Sequence, residues 1–546
     1  MFKLTTICTS AVLLATTVVA AEDDISFSAC GLIGSYYPPP HIMKPYKTFS
    51  SINTTFTQVF DKLIQDGGSE KYGNITTNST SFSVVIFSGA ADLREDPTLF
   101  EYHYTSPIDL QETGTSLTSD TAFPVGDLTM VFTVYAWLVK MGESWDTPIT
   151  KFLPELKALN SSSIASWDDI TIGSLAGQVS GLARTSYACE IGQSCDWNDF
   201  VVGLSKEPFL FRSDTTPIVS YTAYQLLAYV MEKRSQGHSF SNVLKQAVFE
   251  PLGMTSSSLL GDKSNNQSIF VIGGLNMSQT GEPGAISLVS SISDLVRAGY
   301  AMLDSTLLNK AVTRRWLHGT YSTSNLRNGV GRPWEVYHSG STAISPVLDA
   351  LTKSGTIGQY ASYFGLVPEL EAGFAILAHD GTVADRKLDL NVHADIVSEA
   401  LGYFLKAAAQ ETVVRYGGSY GAKDGNGAFG HFNITSNGYG LEVQELRDQN
   451  GVDLRKEYAN ILEIEEADLD FRLYPTNVQD KSRHQFVAVY QDRSAPIDMG
   501  TPTCITWQEV GAVSGIANRF WFELDGSGSA ARVLLDQGDV VLERSE

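Results

Sequence analysis

No lysine in this chain has a serine three residues before it. The Ser-x-x-Lys pair, in which a serine attacks a carbonyl and a lysine one helical turn away eases removal of its proton, is therefore absent. The nine histidines form no H-E-x-x-H and no H-x-H, and the five cysteines form no C-x-x-C. A metal centre has no support in the sequence, and no cofactor is expected. Past residue 20, no apolar run approaches the ~18 residues that span a bilayer, and the tail Leu542–Glu546 carries neither a lipidation nor a retention signal. Positive charge is scarce as well: 38 Lys and Arg face 61 Asp and Glu, a formal charge of −23. Nucleic acid and anionic membrane surfaces are poor partners for such a chain, and the plain use of its acidic surface is solubility. No internal repeat and no long disordered tract is visible.

What is present begins with a leader. Lys3, the apolar run Ile7–Val19 and the small-residue site Val18-Val19-Ala20 predict a signal peptide over residues 1–20 and a secreted chain without a membrane anchor. Sequons at Asn53, Asn74, Asn78, Asn160, Asn266, Asn276 and Asn433 fit that compartment and predict glycosylation at several of them. Beyond the leader the cysteines are Cys30, Cys189, Cys195 and Cys504, an even number that allows three pairings. The short spacer Glu-Ile-Gly-Gln-Ser favours Cys189 with Cys195, which leaves Cys30 to reach Cys504.

With 546 residues, 43% of them hydrophobic, the chain can build more than one core. Residues 21–50 read as irregular, with Pro38-Pro39-Pro40 an extended arm. Ser83–Phe87 reads as a buried strand. Asp127 to Lys140 reads as a helix with Leu128, Val131, Phe132, Tyr135 and Leu138 on one stripe. Further helices are expected over Tyr221–Glu232 and after Ser293-Asp294, and paired strands over Tyr363–Ala378 around Pro368-Glu369. This interleaving predicts an α/β (α+β) layer fold over residues 21–411. After about residue 412 the text turns hairpin-rich, with Asp424-Gly425, Asn426-Gly427, Asn437-Gly438, Asn450-Gly451 and Asp525-Gly526 between β-branched or aromatic runs. Residues 412–546 are expected to form a small all-β sandwich or barrel.

Several strings occur in a telling order. Phe123-Pro-Val-Gly-Asp-Leu-Thr-Met-Val-Phe-Thr-Val is followed by Trp167-Asp-Asp-Ile-Thr-Ile-Gly-Ser-Leu, then Gln178 and Ser180-Gly181-Leu182. Tyr224–Glu232 and Pro251-Leu-Gly-Met-Thr255 come next, then Pro333-Trp334-Glu335, Thr352-Lys353-Ser354-Gly355, Val367-Pro368 and Gly373–Leu377. Over roughly residues 30–405 the chain resembles the fungal, secreted branch of the serine β-lactamase and penicillin-binding-protein family, of the class C and D-Ala-D-Ala-carboxypeptidase type. The resemblance implies an antiparallel sheet with helices on both faces and a cleft facing the Lys-Ser-Gly strand. It also locates four departures. Asp127 and Met130 stand where the family has its nucleophilic serine and lysine, Val219 where Tyr-x-Asn places a proton-shuttling phenol, and Gln178 where a His is usual. Tyr221 lies one helix position of rotation from that phenol. Lys353-Ser354-Gly355 keeps the family's edge strand, whose ammonium and hydroxyl hold a ligand's carboxylate or carbonyl, and the Thr356 N–H stands as half of an oxyanion hole.

The altered residues also have plain readings. Asp127 is well suited to cap a helix N-terminus, and Met130 and Val219 to fill a pocket with apolar bulk, which makes the cleft drier. Lys-Ser-Gly is also an ordinary turn sequence. Gly417-Gly418-Ser419-Tyr420-Gly421 matches G-x-S-x-G, but Ala422-Lys-Asp-Gly-Asn-Gly follows where a nucleophile elbow needs a helix. His379-Asp380 has no nucleophile beside it and is expected to make hydrogen bonds within the core or a loop. The leading expectation is a β-lactamase-like protein that does not acylate itself and binds, or rearranges, a small molecule, with a natural-product pathway implied by the fungal resemblance alone. A hydrolase of esters, amides or lactones using Asp127, Tyr221 and Lys353 is the second, and a non-catalytic secreted glycoprotein the third.

Overall fold

The computed structural model describes residues 31–32, 34, 36–43, 47–162, 166–185, 196–206, 209–262, 282–339, 347–382, 388–423, 425–435, 439–494, 506–535 and 540–545. Cys30, Cys189, Cys195 and Cys504, with the sequons Asn266 and Asn276, lie outside them, as does the Asn160 side chain. Asn53, Asn74 and Asn78 are exposed and Asn433 is half-buried.

The first unit is built on an eight-stranded antiparallel sheet. In space its strands run Thr98–Tyr104, Thr80–Ser88, Ala372–Asp380, Tyr360–Val367, Leu348–Ile357, Glu335–Ser339, Asn328–Val330 and Tyr321–Ser322. Thr80–Ser88 is buried along its whole length because helices cover both faces. One core lies between the sheet and a helical layer containing Thr129–Met141, Tyr221–Arg234 and Ile292–Leu303. The other lies between the sheet and the helices Lys47–Asp66, Asn391–Ser398 and Ala400–Tyr416.

Two local expectations are corrected. The helix expected from Asp127 begins at Thr129, after a 3-10 turn over Gly126–Leu128, and every residue from Thr129 to Leu138 is buried. It is a central helix rather than an amphipathic one, so the single apolar stripe understated its burial. The first 50 residues are not irregular throughout: the Lys47–Asp66 helix starts inside that stretch, and Tyr36 and Tyr37 of the arm are buried. The Tyr36 ring packs on Tyr439 and Tyr474, with centroids 5.7 and 6.3 Å away, so the arm ties the two units together.

The C-terminal unit is a closed eight-stranded barrel, from Gly418–Gly421 to Val541–Arg544. Asn426-Gly427 and Asp525-Gly526 sit between successive antiparallel strands, as their chemistry predicts. Asn450-Gly451 instead leads into the helix Leu454–Ile461. A buried ion network lies on the outer face of the barrel, where Asp470 and Arg472 alternate with the core residues Leu469, Phe471 and Leu473; Asp470 accepts from Arg472 Nε at 2.9 Å and from Arg493 Nη2 at 2.7 Å. Arg544 Nη2 donates to Gly417 O at 2.7 Å, and Glu411 Oε2 accepts from His41 N at 2.8 Å, closing the junction with the first unit. No helix among the described residues is long and apolar enough to cross a membrane.

One buried group sets an acid limit. His393, on the Asn391–Ser398 helix, packs edge-on against Phe82 at 4.5 Å and lies 6.4 Å from Phe60, and neither ring nitrogen has a hydrogen-bond partner. Burial lowers its pKa from 6.5 to about 4, against a smaller opposing pull from Asp389. The folded value lies below the unfolded one, so between pH 6.5 and 4 the unfolded chain binds the extra proton. This contribution to stability is complete above about pH 6.5 and drains as pH falls, by an amount on the order of 3 kcal/mol. Glu369 and Glu371, whose carboxyls burial raises to about 7, act with the opposite sign in an overlapping range. A difference measurement is therefore needed. We expect chemical denaturation of His393→Leu to lose less stability between pH 7 and 4 than the parent; parallel curves would show that His393 is not the group responsible.

Candidate active-site cleft

Antiparallel pairing between Glu335–Ser339 and Leu348–Ile357 stops at Glu335 opposite Thr352. Beyond that point Lys353 to Ile357 pair only with Tyr360–Val367. One side of the strand is thus a free edge, and the N–H groups of Ser354 and Thr356 point toward it. The 3-10 turn Gly126–Leu128 closes on this edge. Gly126 has φ +56°, and a Cβ there would lie 2.6 Å from the Thr356 carbonyl oxygen. A Cβ at Gly355 would lie 2.1 Å from Val125 O, so the approach of turn to strand requires glycine at both places.

That approach delivers Asp127 to the edge. Its side chain is 8% exposed, and Oδ2 accepts from Thr356 N at 3.2 Å. It makes no capping bond to the turn or to the helix behind it, so the capping reading is corrected: the carboxylate finds its N–H donor across the cleft. Oδ1 lies 3.6 Å from Arg184 Nη2, which also donates to the Tyr221 hydroxyl at 2.8 Å, with the guanidinium 4.9 Å above the Tyr221 ring. Burial and the Asp127 charge push the Tyr221 phenol up to about 12, only partly offset by Arg184. Tyr221 is therefore held protonated at neutral pH. Burial opposes the Arg184 charge, yet the Tyr221 hydroxyl and the Asp127 carboxylate outweigh it and raise its pKa.

The second carboxylate at the edge is Glu335. The Lys353 side chain is only 1% exposed, and its Nζ donates to Glu335 Oε1 at 2.7 Å. Ser354 N donates to Glu335 Oε2 at 3.1 Å, and Ser354 Oγ reaches the same oxygen at 3.0 Å. The ammonium and hydroxyl expected to hold a ligand's carboxylate or carbonyl, with the Ser354 N–H beside them, are thus occupied by a carboxylate of the chain itself.

The cleft over this edge has a volume of about 550 Å³ and is lined by Asp127, Arg184, Val219, Glu335 and Lys353 through Thr356, among others. Of the expected residues, the fold brings together Asp127, Val219, Lys353, Ser354, Gly355 and Thr356, with the Tyr221 hydroxyl behind Arg184. Met130 is corrected: it is fully buried in the helical core and does not line the cleft. Gln178 donates through Nε2 to Pro333 O at 2.8 Å, tying together backbone outside the cleft. Arg184 and Glu335 carry most of the cleft's remaining electrostatics and were not singled out in the sequence, where an isolated Arg gives no signal. Glu335 could have been found from its place beside Pro333-Trp334.

The competing motifs resolve simply. Ser419 lies in the first barrel strand with Oγ 2.9 Å from His431 Nδ1, and no helix follows it. His379 Nδ1 lies 3.1 Å from Asp109 Oδ2 in a fully buried site.

Because Lys353 is buried, removing its partner leaves an uncompensated charge in the interior. Glu335→Gln is expected to destabilise the first unit by about 3–5 kcal/mol, and Glu335→Gln with Lys353→Met to recover most of that loss in thermal unfolding. A double variant no more stable than Glu335→Gln alone would show that the pair does not act as a unit.

The beta-lactamase family model matches residues 97–398, and a second model, described as a beta-lactamase-like C-terminal domain, matches residues 408–546. A beta-lactamase-like protein of Arthroderma benhamiae is 24% identical over 530 residues, covering 87% of this chain and 85% of its own length. Among solved structures, a class C beta-lactamase is 17% identical with a TM-score of 0.47, over 65% of this chain and 96% of its own. The octameric penicillin-binding protein homologue from Pyrococcus abyssi is 15% identical with a TM-score of 0.47, over 90% of this chain and 99% of its own. With the first of these models matching more than half of its residues, the chain belongs to the beta-lactamase family.

Proposed function

We propose that this family member does not form an acyl-enzyme and instead holds a small molecule non-covalently in the cleft over residues 353–356. The observation that carries this reading is the Asp127 carboxylate seated on the Thr356 N–H. Acyl transfer needs that donor free for the oxygen that gains negative charge, whereas a fixed anion there repels an oxyanion instead of stabilising it. The other groups support the same reading. Met130 offers no base, Val219 no phenol, and Lys353 is tied to Glu335.

Hydrolysis by a non-standard set is less well supported. Asp127 is engaged by Thr356 and flanked by Arg184, Tyr221 holds its proton to about 12, and the Lys353 ammonium has a carboxylate partner. None of the three is left as a free base for water. Non-covalent catalysis of a cyclisation or rearrangement remains compatible with the cleft, and its placement in a natural-product pathway rests on the fungal resemblance alone. Secretion is part of the proposal and is supported by the leader sequence and by the exposed sequons Asn53, Asn74 and Asn78.

The test is intact-protein mass spectrometry after incubation with benzylpenicillin and, separately, with a fluorophosphonate. The expected result is no mass addition from either reagent. A penicilloyl or phosphonyl adduct on a serine lining the cleft would overturn the proposal.

A further inference from the structure

The cleft does not end at the strand edge. Its far wall is formed by Tyr337, Tyr363, Asn391 and Ala394, and these same residues form one wall of a second cavity of about 230 Å³. That cavity lies between the sheet and the helices Asn391–Ser398 and Ala400–Tyr416, on the sheet face opposite the Thr129–Met141 helix. Its character differs from that of the cleft. Ile86, Val367, Phe374, Val397, Leu401 and Phe404 supply most of its lining, with Ser339, Thr352 and Ser398 among the polar residues, and among the described residues Asp395 is the one charged side chain on it. The space exists because small residues, Ala350, Ala372, Ala394 and Ala400, stand where the facing elements would otherwise interdigitate.

We infer that the ligand is amphipathic, with a polar end in the cleft over residues 353–356 and an apolar segment in this second cavity. The inference rests on the reading of the cleft as a non-covalent binding site and adds the class of molecule it takes. Three observations point to the same occupant. The cavity shares its wall with the polar cleft, so one molecule can span both. Part of its polar lining is already satisfied within the protein, Ser339 Oγ donating to Leu348 O at 2.8 Å and the Tyr363 hydroxyl to Thr352 Oγ1 at 3.4 Å, which leaves the apolar side chains to offer dispersion and desolvation to hydrocarbon. Its volume admits roughly eight carbons or one aromatic ring, since a methylene and a liquid water each occupy about 30 Å³. Affinity should then be set mainly by the apolar segment, with each methylene placed in the cavity tightening binding about fourfold until the space is full.

The experiment uses the full-length mature protein and a series of straight-chain alcohols from 1-butanol to 1-dodecanol, which hold the polar end constant. Binding is followed by isothermal titration calorimetry. Two variants fill the cavity from different elements, Ala350→Leu on the strand and Ala394→Leu on the helix, each checked for an unchanged circular dichroism spectrum. We expect affinity to rise about fourfold per carbon, to level off near eight carbons, and to fall at least tenfold for 1-octanol in each correctly folded variant. Chain-length-independent binding, no binding at all, or an octanol affinity unchanged in both variants would overturn the inference. Should either variant misfold, Val397→Ala enlarges the same cavity and is expected to move the plateau to a longer chain; an unmoved plateau counts against it. Failure of this series without any serine adduct leaves the non-acylating reading standing. A serine adduct beside an intact series would remove that reading alone.

Discussion

Ser354 and Thr356 direct their N–H groups to the free side of one edge strand, and the chain supplies a carboxylate to each. Glu335 accepts from the first and Asp127 from the second, at 3.1 and 3.2 Å. Backbone N–H groups held by a sheet cannot turn away, so whatever faces them decides what the cleft can do. In an acylating enzyme they would meet the substrate. Here they meet fixed anions, and the other features of the site follow from that. Lys353 is neutralised in place, Arg184 is drawn toward Asp127, and the Tyr221 phenol keeps its proton beside that acid.

The fold makes the arrangement rigid. The Gly126–Leu128 turn is clamped against the strand by two glycine contacts that no larger residue could make, and Ser362 Oγ donates to Val125 O at 2.7 Å from the next strand. The backbone that carries Asp127 therefore cannot leave the edge without moving the start of a helix that is buried all round. Internal charge pairs, Asp127 beside Arg184 and Glu335 on Lys353, hold the site together.

In the proposed reading the two cavities divide the labour of recognition. The cleft over the edge is polar and largely self-satisfied, so it offers a ligand orientation more than binding energy. The space beneath Asn391–Ser398 is apolar and offers the reverse. The helix that walls both cavities also carries His393 on its buried side, so acid that acts on this histidine acts on the wall of the proposed ligand site as well.

The sequence by itself determined the order of the family's strings, the buried strand over Ser83–Phe87, the hairpin-rich C-terminal unit, and the absence of a Ser-x-x-Lys pair. These are properties of local pattern and spacing, which residues carry without reference to distant partners. Only the tertiary structure decided what Asp127 does. Its place before a helix suggested a cap, but its carboxylate accepts from the N–H of Thr356, 229 residues away along the chain. Met130 sat at the family's lysine position, yet the helix that carries it is buried on all sides, and the side chain lies in the core rather than the cleft. The pairing of Lys353 with Glu335 depends on where two strands stop bonding, and the apolar cavity depends on small residues drawn from four separate elements. Contacts of that kind are set by three-dimensional closure, which no local pattern encodes.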